Sequence, residues 1–592
     1  MGLVFVGDLV GRDQVVAQLE LGLDAAAEGR GRLVLIAGEP GIGKTTVLSA
    51  LADQAVARSA TVTWGQCWDG EGVPAFWPWM QVVRAVAPHS GEDLGEVRRL
   101  MPESGGLSEP AVDGGSAARF GLFDAVVRLL ADAARGHGLV VVLDDLQWAD
   151  EASLLLLEFA SRHLRRAGVL LIGAYRDVEA GSVLERVAGA GEVVMLDGLT
   201  PSDAEELVGR VAGRQLPSDV VADVTRRAGG NPLFVRELTR LVTVQPATSV
   251  SDLHRVLTGV SDVVERRLDR LSPECREVLD IASVLGREVR TDVVARARGG
   301  ASDLADVLAE AVRARVLTAP PRGIGPHVFA HDLFREVVLD AMPATARARL
   351  HLAVARSLQA LDSHETPVAA AELAAHFVAA AAGGLHEAEE DAVRYSQAAA
   401  EEAARCLAFE DAGDHLERAL LALDLAESPS PAIRLELLLA LGTARNHAGS
   451  SNAARNALAE GAALARRRGD AVGLGRAAIG IHGLGALSGM SRADTVGLLE
   501  GAARALEAEP SALRASVLAC LSRELHHSWD SVNLEIAPGV AQDAVTLARE
   551  LGDPATLAFC LLAMHDAHWS VGSASQRLPL LAEMLDLANA AQ

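Results

Sequence analysis

The sequence predicts a multidomain chain: a parallel-sheet α/β domain first, then helices almost alone. Three observations carry this. Between about residues 30 and 200, short apolar runs alternate with helical patterns, as a parallel sheet covered on both faces requires. One of those runs feeds a complete glycine-rich loop and then a helix. From about residue 346, alanine-rich amphipathic segments of about 15 residues recur in pairs, near a period of 34–40 residues.

The candidate strands are 33–37, 61–65, 139–143, 169–174 and 193–196. The first, Leu-Val-Leu-Ile-Ala, leads into Gly38-Glu39-Pro40-Gly41-Ile42-Gly43-Lys44-Thr45, with helical character from Thr46. This is a P-loop in its proper strand–loop–helix context. Its glycines let backbone N–H groups cradle phosphates at a helix N-terminus, where the helix dipole favours negative charge. Lys44 is the only lysine in 592 residues; the other 53 of the 54 basic residues are arginine. A compact ammonium fits between β- and γ-phosphates, whereas a guanidinium is wide and planar.

The strand at 139–143 ends in Asp144-Asp145, about 100 residues after the P-loop. The pair suits a Walker B element. Asp144, with the Thr45 hydroxyl, would hold Mg²⁺, and Asp145 would orient or deprotonate an attacking water. The strand at 169–174 runs into Tyr175-Arg176-Asp177. Arg176 at its carboxyl end either senses a γ-phosphate or pairs with Asp177 or Glu179. Residues 68–118 are irregular, and Phe76-Trp77-Pro78-Trp79 within them reads as a hydrophobic plug.

Strand signals fade after Gly198. Thr200-Pro201-Ser202-Asp203 has an N-cap, a proline at the first helical position and an acidic first turn. It opens a helical lid over 200–250, with 1–199 as the nucleotide-binding core. Residues 245–255 read as a linker. The next module, 251–345, combines two or three helices with short strands at 314–318 and 327–330 around Pro320-Pro321-Arg322-Gly323, a winged-helix-like pattern. The remainder, 346–592, reads as a tetratricopeptide-like α-solenoid or a helical bundle. Leu441-Gly442-x-Ala444 followed by Ala453 and Ala454 supplies the small residues that close helix packing needs, as do Ala399, Ala403, Ala412 and Ala419. Gly469-Asp470 and Gly552-Asp553-Pro554 read as turns.

Composition bounds the partners. The net charge is −25, from 79 acids and 54 bases, which argues against an unaided nucleic-acid surface. Five scattered cysteines without a C-x-x-C spacing predict a reducing cytoplasm and no disulfide framework. The first eight residues lack a basic n-region, so no signal peptide is expected, and no transmembrane helix is expected either.

Val10-Gly11-Arg12-Asp13, the P-loop, Asp144-Asp145-Leu146-Gln147-Trp148-Ala149-Asp150, Tyr175-Arg176 and Gly230-Asn231-Pro232-Leu233-Phe234 follow one another in a telling order. It resembles that of STAND-class signal-transduction ATPases, and more narrowly the AAA-type ATPase module of the large ATP-binding LuxR-type regulators of actinobacteria. The resemblance implies a site for ATP or ADP with Mg²⁺, lined by Gly11, Arg12, Gly38, Glu39, Pro40, Gly41, Ile42, Gly43, Lys44, Thr45 and Thr46. It implies that Pro232 packs on the base or sugar; a plain helix-breaking turn is the other reading. It implies that His331, in Ala330-His331-Asp332, touches a β-phosphate in a closed ADP state; a helix-N-terminal His with Asp332 as the cap residue is the other reading. Regulators of this type end in a helix-turn-helix. Residues 530–592 show no basic recognition helix, so DNA binding is not carried over.

The resulting expectation is a nucleotide-dependent regulatory switch, active in transcriptional regulation. It would hydrolyse ATP slowly, because Asp145 stands where faster enzymes place a longer Glu. Its helical repeats would receive an inducer or protein partner, and it would self-associate with nucleotide state. The alternatives are a ring-forming ATPase motor and a helical-repeat scaffold with a structural nucleotide site.

Overall fold

The structure is a computed structural model that describes residues 9–68, 72–89, 94–101, 115–177, 181–244, 264–265, 267–300, 303–320, 326–363, 367–508, 510–528 and 530–590. The chain divides into two compact units, Met1–Asp411 and Ala412–Gln592.

The first unit begins with a five-stranded parallel sheet: β1 (Arg32–Ala37), β2 (Thr61–Gln66), β3 (Leu139–Asp144), β4 (Val169–Tyr175) and β5 (Glu192–Met195), in the order β2-β3-β4-β1-β5. Every residue of β3 and β4 is buried, and all of β1 after Arg32. Such strands read as unbroken apolar runs because both faces are covered. Helices α1 (Asp13–Ala27) and α2 (Lys44–Ala57) pack on this sheet through Leu19, Leu23, Val47, Leu48 and Leu51. All five strands point the same way, so the segments leaving β1, β3 and β4 emerge along one edge, where α/β sheets bind ligands.

The irregular stretch after β2 is anchored as expected. Phe76 and Trp79 are fully buried, and the Trp79 indole donates to the Ser153 carbonyl at 3.0 Å. Beyond β5, three helices, Pro201–Ala212, Ser218–Ala228 and Pro232–Val244, share a small core of Leu207, Val208, Val224, Val235 and Leu238. Val10 belongs to that core while Leu9 packs against the sheet core, so the segment preceding α1 touches both layers. Thr200 caps the first of these helices, accepting from Asp203 N at 3.2 Å, with Pro201 at the first helical turn. The linker expected at 245–255 lies outside the described residues.

The following module holds helices Pro273–Leu285, Thr291–Ala297 and Leu304–Arg313, a three-stranded antiparallel sheet, and helix Asp332–Asp340. The sheet is β6 (Glu288–Val289), β7 (Leu317–Thr318) and β8 (His327–Phe329), ordered β6-β8-β7. Two of these strands were expected, and both are shorter than their apolar runs. The third, β6, has only two residues and carries no periodic signal. Helices Ala344–Leu361, Ala370–Ala382 and Glu389–Arg405 complete the unit.

The second unit, with the helices from Pro431–His447 to Ala574–Ala590, is entirely helical among its described residues. Its core is alanine and leucine. Gly442 is required by close approach: a Cβ there would lie 2.4 Å from Leu458 Cγ. Ala454 is buried as expected, but Ala453 is exposed, because adjacent positions on a helix face about 100° apart. Gly469 and Gly552 end their helices in the left-handed region, and Asp470 and Asp553 cap the next ones. A parallel-sheet P-loop NTPase domain followed by a mostly helical region is therefore the architecture. No described helix is long and apolar enough to cross a membrane.

Candidate functional site

The P-loop leaves β1 and enters α2 through Gly43, whose φ of 104° no other residue adopts readily. Lys44 is the first residue of α2 and is 8% exposed. Its ammonium donates back to the Gly38 carbonyl at 2.7 Å and the Glu39 carbonyl at 3.0 Å. Burial lowers its pKa, and the Asp145 charge opposes that shift. Thr45, one residue on, reaches across to β3: its hydroxyl donates to Asp144 Oδ2 at 2.8 Å, joining residues 99 apart in sequence.

Asp144 is 2% exposed. Burial raises its pKa first and the neighbouring Asp145 charge second; Thr45 and the Asp145 backbone N–H oppose the rise. A buried carboxylate pair of like charge is costly unless a cation joins it. The Thr45 hydroxyl and Asp144 carboxylate are hard oxygen donors, suited to Mg²⁺. Among the described residues no group of three His, Cys, Asp or Glu could hold a metal. The donor set therefore fits a cation that takes its remaining ligands from water and phosphate.

Asp145 sits in the left-handed region, φ 58°, which is uncommon for a residue with a side chain and turns its carboxylate away from the strand direction. Gln147, unnoticed as a site residue in the sequence, ties the edge together. Its Nε2 donates to Asp145 Oδ1 at 3.1 Å, and its Oε1 accepts from Arg176 N at 3.0 Å. Trp148 lies 4.7 Å under the Arg176 guanidinium. Arg176 pairs with acids from beyond β8: Asp332 Oδ2 lies at 3.5 Å and Glu336 Oε1 at 3.4 Å. Glu179 lies outside the described residues.

These groups face a cavity of about 630 Å³, ample for a small ligand. Its wall includes Arg12, Pro40, Gly41, Ile42, Gly43, Lys44, Thr45, Thr46, Asp145, Arg176, Pro232 and His331. Gly11, Gly38, Glu39 and Asp144 do not line it. Gly38 and Glu39 act through their carbonyls on Lys44. Asp144 lies beneath Thr45. Gly11, at φ 66°, turns toward Asp203: a Cβ there would fall 2.5 Å from Asp203 Oδ2. Arg12 braces the loop, donating to the Asp197 carbonyl at 2.7 Å and to the Ile42 carbonyl at 3.0 Å.

Pro232 opens its helix, so the turn reading and the wall reading describe one residue. The contact to the P-loop comes from its neighbour Asn231, whose Nδ2 donates to the Pro40 carbonyl at 2.9 Å. His331 is both a helix cap and a wall residue. Its Nδ1 accepts from Leu333 N at 3.1 Å, and burial lowers its pKa. Asp332 is the first helical residue after it, not the cap. Gln147 and Asn231 carry no sequence signal of their own beyond sitting inside quoted motifs.

Comparison with known proteins bears on the same region. Residues 8–172 match the model of the AAA ATPase domain. The chain is 27% identical over 506 residues to a protein of Rhizobium meliloti described as uncharacterised, covering 78% of this chain and 48% of that one. It is 26% identical over 298 residues to the serine/threonine-protein kinase PknK of Mycobacterium tuberculosis, covering 48% of this chain and 24% of the kinase. The chain thus spans about half the length of the first relative and a quarter of the second. A solved STAND protein with a tetratricopeptide repeat sensor, from Pyrococcus horikoshii, aligns over 97% of this chain and 84% of its own at 14% identity, with a TM-score of 0.38. What this chain shares with known families is therefore an AAA ATPase domain at its N-terminal end.

Proposed function

We propose that this chain is a nucleotide-dependent switch that binds ATP or ADP with Mg²⁺ and hydrolyses ATP slowly. One observation carries the reading: the 2.8 Å bond between Thr45 and Asp144, beside Lys44 at the cavity mouth. It brings the P-loop and the acidic strand end into one site with the spacing a triphosphate and its cation need. Thr45 and Asp144 would hold Mg²⁺, which supplies charge neutralisation between the phosphates. Lys44 would exchange its two carbonyl partners for phosphate oxygens. Asp145, held by Gln147, would orient water, and Arg176 would meet the terminal phosphate.

Domain roles follow the same reading. The three helices 201–244 act as a lid, joined to the P-loop by Asn231. Residues 272–340, with helices around a three-stranded antiparallel sheet, act as a winged-helix-like module that reports on the site through His331, Asp332 and Glu336. The helices beyond form tetratricopeptide-like repeats that take a partner or inducer. The motif order supports a role in signal transduction, and LuxR-type transcriptional regulation is the pathway it favours. Switching of this kind needs differential affinity for two states; tight binding alone shifts nothing.

Titration calorimetry with ATP and Mg²⁺ tests the site. Lys44→Ala should lose about a hundredfold in affinity, the worth of its charged hydrogen bonds, with an unchanged melting temperature. Size-exclusion chromatography with light scattering, in ADP and in a non-hydrolysable ATP analogue, tests the switch. Identical profiles for both nucleotides and for Lys44→Ala would remove it.

A further inference from the structure

Arg287 enters the cavity from outside the α/β domain, on the short connection between helix Pro273–Leu285 and β6. Its backbone is fixed on three sides. The preceding Gly286 N–H donates to the Ala282 carbonyl at 3.3 Å, ending the helix. Gly286 itself, at φ 125°, lies against the Trp68 indole, so a Cβ there would come within 3.0 Å of Trp68 Nε1. The Arg287 carbonyl accepts from Phe329 N in β8 at 3.0 Å. The guanidinium, by contrast, is held loosely. Its Nη1 lies 3.9 Å from Asp145 Oδ2 and its Nε 3.8 Å from Asp332 Oδ1, both beyond hydrogen-bonding distance.

A firmly anchored backbone with an untethered cationic head, facing the strand-end acid, is built to change partners. We propose that Arg287 is the residue by which this site tells a nucleoside triphosphate from a diphosphate. The inference rests on the nucleotide reading above. A γ-phosphate bound near Lys44 brings added negative charge to the side of the cavity that Asp145 already occupies. Repulsion between the two falls if one cation serves both, and a planar guanidinium can hold a carboxylate and a phosphate oxygen together. A diphosphate ends short of that position and gains nothing from Arg287. Because Arg287 belongs to the module after the lid, the same contact ties that module to the terminal phosphate.

The test compares a fluorescent ADP with a fluorescent non-hydrolysable ATP analogue on the full chain. Arg287→Gln should weaken the triphosphate about tenfold and the diphosphate less than about threefold, and Arg287→Lys should recover part of the difference. Gly286→Ala keeps the guanidinium but moves its backbone off Trp68, and should reproduce the selective loss in smaller measure. Control Arg315→Gln, which removes an exposed cavity-lining charge, should not discriminate. Equal changes for both nucleotides, no change in Arg287→Gln, or the same selectivity in Arg315→Gln would overturn the assignment to Arg287. A wild-type chain that binds neither nucleotide would overturn the functional reading as well, whereas normal binding with an unaltered ratio in the variants sinks Arg287 alone.

Discussion

The two units bury different things. Among its described residues the first unit buries Arg12, Lys44, Asp144, Asp145, Arg176 and Glu237 at or beside one cavity, and Glu158, Asp223, Glu389 and Glu410 elsewhere. The second, among its described residues, buries hydroxyls and histidines such as His415, Ser522, Thr556 and His565, but no Asp, Glu, Lys or Arg. Burying an ion costs several kcal/mol unless a partner offsets it. The first unit accepts that cost, offset by arginine partners at Asp223 and Glu410 and, at the cavity, open to offset by a charged ligand. The second is stabilised by contact between alanine and leucine faces, which leaves its described charged groups outside the core. Chemistry and scaffold are thus separated along the chain.

Four changes would sharpen or break that contrast, beginning with the largest. Ile172→Ala, at the centre of β4 and 1% exposed, should cost about 4 kcal/mol and abolish nucleotide binding by unfolding the sheet. Denaturant titration followed by far-UV circular dichroism reads it; a cost below about 1 kcal/mol would show that the sheet is not the core of the first unit. Gly442→Val should cost about 3 kcal/mol by forcing a methyl into Leu458, yet leave nucleotide affinity as it was. If affinity fell equally, the separation between site and scaffold would be wrong.

The third change is pH. His351 and His376 share an Nδ1–Nδ1 contact of 3.0 Å, and burial pushes their pKa values down to about 4 and about 3, with Arg347 and Arg335 adding to the shift at His351. Below the ordinary value of 6.5 the unfolded chain takes up protons that the folded pair refuses. Stability therefore falls as pH falls from 6.5 to the folded values, by about 2 kcal/mol per histidine between pH 6.5 and 5. Urea midpoints at the two pH values measure it, and His376→Gln should flatten the slope. The smallest effect is Asn231→Ala, which removes the bond to Pro40 and should cost about 1 kcal/mol of nucleotide affinity without touching the melt of the second unit. No change in affinity would show that the Asn231–Pro40 bond does not couple the lid to the site.

The five core strands were legible to within a residue or two because a parallel strand covered on both faces is an apolar run whatever lies around it. The P-loop, the paired aspartates and the helix start at Thr200 were legible for a similar reason, since each is a local pattern with a local cause. The two residues of β6 were not, because their only support is β8, some forty positions later. Nor were two partners of Arg176, Asp332 and Glu336, which lie about 160 positions later.

By itself the sequence determined where the strand–glycine loop–helix element with its lone lysine lies, because the loop's glycines and that lysine are contiguous. It also determined that the later half would be helix, because alanine periodicity is a short-range property. Only the tertiary structure decided which distant side chains meet there: Arg12 on the Ile42 carbonyl, Asn231 on Pro40, and Arg287 facing Asp145. Those meetings depend on how packed elements place their ends, and no local pattern in a chain encodes a distance between residues a hundred positions apart.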